Sequence, residues 1–247
     1  MYSQDFKEFT ENGINNYFIG TGNPNADILF VGKESAISKE NTQGREFYNR
    51  NAISWKEHID NNTCEILNYP VDENHIFRKE KSWGKNTWSK YQELKNVIYK
   101  NDKKPYHIDF LEKVFTTEIN DAPEKNTAIA DKSSLNERKK LFKESDFIQK
   151  FPVVVLACSN YIKNNDYVRE IDDIFEVTYY ESDSKVYSSM NWFFTHYNTD
   201  KTKLVIHTRQ LSANVKKDLL NDMGKVIRKH LKKIELIEKN YVALHRI

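Results

Sequence analysis

Residues 151–159 read FPVVVLACS: three valines and a leucine in an unbroken row, opened by a proline and closed by small residues. A run that is apolar at every position, rather than at every second one, belongs to a strand covered on both faces. DILFV (27–31) and KLVIH (203–207) share this character between their polar ends, and VFTTEI (114–119) reads as a further short strand. Between them the spacing turns helical. Residues 86–100 put Trp88, Tyr91, Leu94, Val97 and Ile98 on one face. Residues 213–237 do the same with Val215, Leu219, Met223, Val226, Ile227, Leu231 and Ile234. Helices are also expected over 135–150 and 160–173. The polar stretch 40–82 predicts loops with one helix, 120–134 a long loop, and 174–199 irregular strands or a hairpin. Buried strands alternating with helices predict an α/β fold. The expectation is a central, mostly parallel four-stranded sheet flanked by helices on both faces, in one domain spanning 1–247.

Phe, Tyr and Trp make up 13 % of the chain, so the core can rest on aromatics. The formal charge is only +2, but residues 201–247 hold twelve Lys/Arg against four Asp/Glu. Such a basic end suits a polyanion, or is simply the solvated face of a helix. The two cysteines, Cys64 and Cys158, have no ligand-like spacing, which argues against disulfides, zinc and iron–sulfur clusters. No metal or cofactor is expected. No run approaches the ~20 apolar residues of a membrane helix, and the polar N-terminal stretch has no signal-peptide character. A cytoplasmic monomer is the expectation.

In parallel α/β sheets, ligands gather beyond the carboxyl ends of the strands. Here those ends are Gly32–Glu34, Thr117–Asn120, Ala157–Asn160 and His207–Ser212. The Gly-Lys-Glu at 32–34 is not a phosphate loop. Asp27 stands where that motif needs its first glycine, and Glu34 where it needs Ser or Thr. A GxSxG nucleophile elbow is absent.

Two of the strand exits point elsewhere. GTGNPNADILFVG (20–32) is similar to a Gly-x-Gly-x-Pro-x-Ala-x-Ile-x-Phe-Val-Gly lead-in, and HTRQLS (207–212) is similar to HPSPLS. GREFYNRNA (44–52) is similar to GRPFVGRAG, and FPVVVLACSNY matches an internal strand and turn. In this ordered set, across roughly residues 17–220, the chain resembles the uracil-DNA glycosylase superfamily. The resemblance implies a base-flipping enzyme without an iron–sulfur cluster, acting on DNA. It makes His207 the hydrogen-bond donor to O2 of a pyrimidine and Glu34 the water-orienting carboxylate. Phe47, with Tyr48 as the fallback, would stack on the base. Leu211 would be the wedge filling the gap, with Arg209, Ser212 and Lys33 near the DNA backbone. Each residue also has a structural reading: a satisfied histidine, a surface glutamate, core aromatics, a packed leucine.

A flipped base leaves as an anion, so a fixed donor at its carbonyl oxygen is what the chemistry needs. The departures from the pattern bear on which base. Uracil-specific members read the base with an Asn at the end of the second strand. Here that position is Glu118 or Asn120. Asn120 would keep uracil reading, whereas an ionised Glu118 accepts hydrogen bonds only and suits the N4 amino group of cytosine. Both prolines of HPSPLS are replaced, by Thr208 and Gln210, its first Ser is Arg209, and Ser35-Ala36 leave a roomier site. The expected function is a monofunctional DNA glycosylase removing a uracil-type or modified pyrimidine, as in DNA repair. One alternative is a glycosylase for hydroxymethylated or glucosylated cytosine in antiphage defence. Another, of a different class, is a non-catalytic nucleic-acid-binding module. Glu34, His207 and Phe47 should converge around one pocket of nucleobase size, and scattering by more than about 10 Å would favour the module.

Overall fold

A computed structural model describes residues 1–61, 86–100, 108–212 and 214–244, with backbone only from 236. Cys64 and Trp83 lie outside the described residues.

Strands β1 (Thr21–Gly22), β2 (Ile28–Gly32), β3 (Phe115–Glu118), β4 (Val153–Leu156), β5 (Thr178–Ser188), β6 (Asn191–Tyr197) and β7 (Leu204–Thr208) form one sheet in the order β1-β3-β2-β4-β7-β6-β5. The expected parallel unit is its centre: β3, β2, β4 and β7 run parallel. The sheet itself is seven-stranded and mixed, which corrects the four-stranded expectation. β1 pairs antiparallel on one edge, and the β5–β6 hairpin pairs antiparallel with β7 on the other. Two residues are too few for β1 to show any period. The hairpin joins because β6 turns Phe193 and Thr195 inward, where both are buried.

Every residue of β2, β4 and β7 is buried, as their continuous apolar runs require. One face of the sheet is covered by α1 (Gln4–Gly13), α3 (Asn51–Asp60), α5 (Leu135–Glu144), α6 (Asp146–Gln149) and α7 (Glu170–Phe175). That core is aromatic: Phe6 meets Trp55 edge-on at 5.0 Å and Phe147 at 4.8 Å. The other face carries α4 (Thr87–Tyr99) and α8 (Lys217–Leu244), which pack Tyr91, Leu94, Leu219, Met223 and Ile227 against Phe30 and Val155. A Cβ on Gly224 would stand 2.5 Å from Val97 Cγ1, so glycine is what lets α4 and α8 approach so closely.

Three segments depart from the helical reading. α2 (Thr42–Asn49) and α3 replace a single expected helix, separated at Arg50. The helix expected over 135–150 is two, because Ser145 turns extended and caps α6 through Ile148 N–H. The helix expected over 160–173 is mostly a tight turn, with only α7 helical at its end.

Candidate active site

The four parallel strands deliver their exits side by side, in the order Glu118, Glu34, Ser159–Tyr161, His207. Neighbouring strands lie roughly 4.8 Å apart, so Glu34 and His207, two strands apart, are separated by on the order of 10 Å. The three-residue 3₁₀ turn at Ser159–Tyr161 stitches the exits together. His207 Nε2 lies 2.8 Å from the Ser159 carbonyl, Lys33 Nζ donates to Asn160 Oδ1 at 3.4 Å, and the Tyr161 hydroxyl donates to Glu34 Oε2 at 2.6 Å. Ser159 adopts a left-handed backbone, φ +51°, to make this turn.

The His207 side is a chain of hydrogen bonds whose directions follow from donor inventory alone. Arg169 can only donate, and its Nη1 lies 3.2 Å from Asn164 Oδ1, which fixes the Asn164 amide. Asn164 Nδ2 then donates to His207 Nδ1 at 3.2 Å and to His196 Nε2 at 3.1 Å. Both histidines therefore accept on those nitrogens and carry their hydrogens on the others. His196 Nδ1–H donates to Asp172 Oδ1 at 2.6 Å, and His207 Nε2–H to the Ser159 carbonyl. Burial pushes the His207 pKa down to about 4, against the hydrogen bond to Ser159, so the ring is neutral at pH 7. Burial likewise lowers that of His196, against the pull of Asp172. Trp192 stands edge-on to His207, ring centres 5.0 Å apart.

The acidic side is arranged differently. Glu34 is buried, and its two oxygens accept from Thr127 Oγ1 and Tyr161 Oη, each at 2.6 Å. Lys33 lies 4.7 Å from the Tyr161 ring centre, and burial lowers its pKa. Glu118 pairs in register with Gly32, and its carboxyl lies over the glycine: a Cβ there would stand 2.1 Å from Glu118 Oε2. Glu118 as a residue is partly exposed, but its Oε2 is wholly out of solvent. Burial, with Glu34 adding to it and Arg138 opposing, pushes the Glu118 carboxyl up to about 8. A carboxyl raised this far holds a proton near neutral pH, so it can donate as well as accept. The argument from an ionised glutamate that excluded uracil therefore does not hold for the free protein.

Arg138, 2 % exposed, is bound through Nε to the Glu118 carbonyl (3.0 Å) and through Nη2 to the Phe18 carbonyl (2.7 Å) and Thr117 Oγ1 (2.9 Å). Its Nη1, Glu118 Oε2 and the Tyr48 hydroxyl are all buried with no hydrogen-bond partner among the described residues. Tyr48 stacks flat on Phe18, ring centres 4.3 Å apart, and Phe47 packs against the aromatic core.

Leu211, Asn120 and Arg209 are each engaged with other parts of the chain. Leu211 is 0 % exposed inside the α4–α8 core, so it packs rather than protrudes as a wedge. Asn120 Nδ2 donates to the Asp131 carbonyl at 2.8 Å, and its side chain also hydrogen-bonds Tyr161, which holds Glu34. Arg209 folds onto the hairpin, donating to the Met190 carbonyl at 2.8 Å and to that of Gln210 at 3.2 Å. Ser212 stays partly exposed beside it. The lysines near Arg138 face acids: Lys139 pairs with Glu170 (2.8 Å) and Lys143 with Asp173 (2.6 Å). Tyr161 closes the matched stretch FPVVVLACSNY, whereas Thr127, Arg138, Asn164, Asp172 and His196 complete the site without any motif announcing them. Asn164 and Asp172 sit within a stretch expected to be helical.

Among the described residues no group of His, Cys, Asp and Glu could hold a metal ion, and no helix is long and apolar enough to cross a membrane. Cys158 is buried, and burial pushes its thiol up to about 12, which makes it inert. Comparison with protein-family models, with curated proteins and with solved structures returned no match.

Proposed function

We propose that the protein is a monofunctional DNA glycosylase that flips a pyrimidine-type base and hydrolyses its N-glycosidic bond. The observation that carries this reading is His207: a neutral imidazole at a strand exit, its tautomer fixed by Asn164 with Nε2–H held on the Ser159 carbonyl, two strands from the buried side chain of Glu34. As the C1′–N1 bond breaks, its electron pair leaves on the base and charge gathers on O2. His207 Nε2–H exchanges the Ser159 carbonyl for that oxygen. A neutral, prepositioned donor stabilises the charge without itself needing to lose a proton. Glu34 offsets the positive charge on the sugar and accepts a proton from the water whose oxygen bonds to C1′. That proton returns to the base, leaving an abasic site. The exposed lysines of α8, including Lys217, Lys225, Lys229, Lys232 and Lys233, supply a basic face for the DNA backbone.

A second reading makes the base a modified cytosine, with a role in antiphage defence. The observation favouring it is Glu118: in its protonated form it can accept from N4 and donate to N3 of cytosine, and its Oε2 has no other partner. The test is strand cleavage with alkali after incubation of wild type and His207→Ala with oligonucleotides carrying uracil, hydroxymethylcytosine or glucosylated hydroxymethylcytosine. Alkali-labile sites that depend on His207 support the enzyme, and the substrate that yields them selects the base. DNA binding with no labile sites on any substrate favours a non-catalytic binding module.

A further inference from the structure

Tyr167 is 96 % exposed and its neighbour Val168 43 %. Single exposed apolar residues are ordinary; the way this one is held is not. Residues 164–169 form a narrow turn closed by a bridge between Asn164 and Arg169. Asn165 N–H donates to the Val168 carbonyl at 2.9 Å, and Asn165 Oδ1 accepts from Tyr167 N–H (2.9 Å) and Val168 N–H (3.0 Å). One step further down, Glu170 N–H reaches the Lys163 carbonyl at 3.0 Å, and Lys163 N–H the Glu170 carboxylate at 2.7 Å. The acid at the tip, Asp166, is turned onto Arg169 at 3.2 Å. The foot of the turn is Asn164, bonded to His207 and His196. Three residues separate that anchor from Tyr167, so the tip stands at most roughly 10 Å from it.

We infer that Tyr167 enters the base stack when a nucleotide is turned out toward His207, its ring closing against the bases beside the gap. The inference rests on the glycosylase reading. Emptying a stack position requires something to fill it, and Leu211, which the sequence offered, is enclosed in the core. An aromatic face stacks on any base, so it fills the gap whatever the neighbouring sequence. The turn is already ordered, so little freedom is lost when it docks. Met190 is 58 % exposed at the hairpin tip that Arg209 holds.

The test uses the full chain and a duplex holding a tetrahydrofuran abasic analogue, with 2-aminopurine as the adjacent base. Wild type is expected to bind this duplex more tightly than an unmodified one and to quench the 2-aminopurine by stacking. Tyr167→Ala should lose the quenching and bind roughly tenfold more weakly, the scale of one lost base stack. Tyr167→Phe should restore both. The salt dependence of binding should be the same in all three, because no charge has changed. If Tyr167→Ala binds and quenches like wild type, the inference is wrong while the glycosylase reading stands. If wild type shows no preference for the abasic duplex, both fall.

Discussion

The two ends of the site differ in how their polar groups are satisfied. From Asp172 through His196, Asn164 and His207 to Ser159, each ring nitrogen has a partner. Around β3, Glu118 Oε2, Arg138 Nη1 and the Tyr48 hydroxyl have none. Buried polar groups are nearly always paired, and leaving one unpaired costs about 1–3 kcal/mol. The histidine end is thus complete before any ligand arrives, and its Nε2–H must leave the Ser159 carbonyl to serve one. The acidic end carries an uncompensated cost that a ligand with both donors and acceptors on one edge would relieve. A nucleobase has such an edge. On the proposed glycosylase reading, one end polarises the bond and the other reads the base attached to it.

The strongest way to break this division is His207→Ala. It should cut base release by on the order of 10²–10³-fold, as for loss of one oriented donor, with DNA binding kept. Single-turnover release together with a binding isotherm checks both parts. Asn164→Asp comes next. A carboxylate facing Nδ1 favours a proton there, so the His207 pKa should rise from about 4 toward the ordinary range. Release should fall by up to about 10²-fold. Long-range ¹⁵N–¹H spectra read the tautomer directly. An unchanged tautomer in this variant would mean that Asn164 does not set it.

Glu118→Gln addresses the other end. Between the ordinary carboxyl range near 4.3 and about 8, the native state holds a proton that the unfolded state has lost, so this group makes stability fall as pH rises. The Gln variant should remove that slope and be more stable at pH 8 by about 1–3 kcal/mol. Urea titrations at pH 5 and pH 8 give the comparison. His207 works in the opposite sense. Unfolded histidine takes up a proton near 6.5, the native ring only near 4, so its contribution is lost as pH falls between those values. The smallest effect belongs to Tyr161→Phe. It removes one of the two hydroxyls on Glu34, while the Thr127 hydroxyl still holds the carboxyl. A several-fold loss of release with unchanged DNA affinity is expected.

The contrast also explains what the sequence could disclose. β2, β4 and β7 were legible because strands buried on both faces need unbroken apolar runs, and α4 and α8 because each buries one stripe. The exits of those strands follow from topology, so Glu34, Glu118 and His207 were within reach. β1 has no period to read, and α1 buries chiefly Phe6 and Phe9 in an otherwise polar segment. The partners that make the site, Asn164, His196, Asp172, Arg138 and Tyr161, come from separate elements with no fixed spacing. Their side chains meet only through the fold. Leu211 shows the reverse limit: a motif position can be matched in sequence while the chain around it encloses the side chain.

The most direct measurement is the free base itself. Wild type and His207→Ala are incubated in single turnover with each of the three DNAs between pH 5.5 and 7.5, and the released base is identified by mass. The account predicts release from one of them by wild type, without strand scission before alkali. It also predicts no titration limb near 6.5, since His207 stays neutral down to about 4, and near-complete loss in the variant. Release that survives in His207→Ala, or a limb near the ordinary histidine pKa, would contradict it.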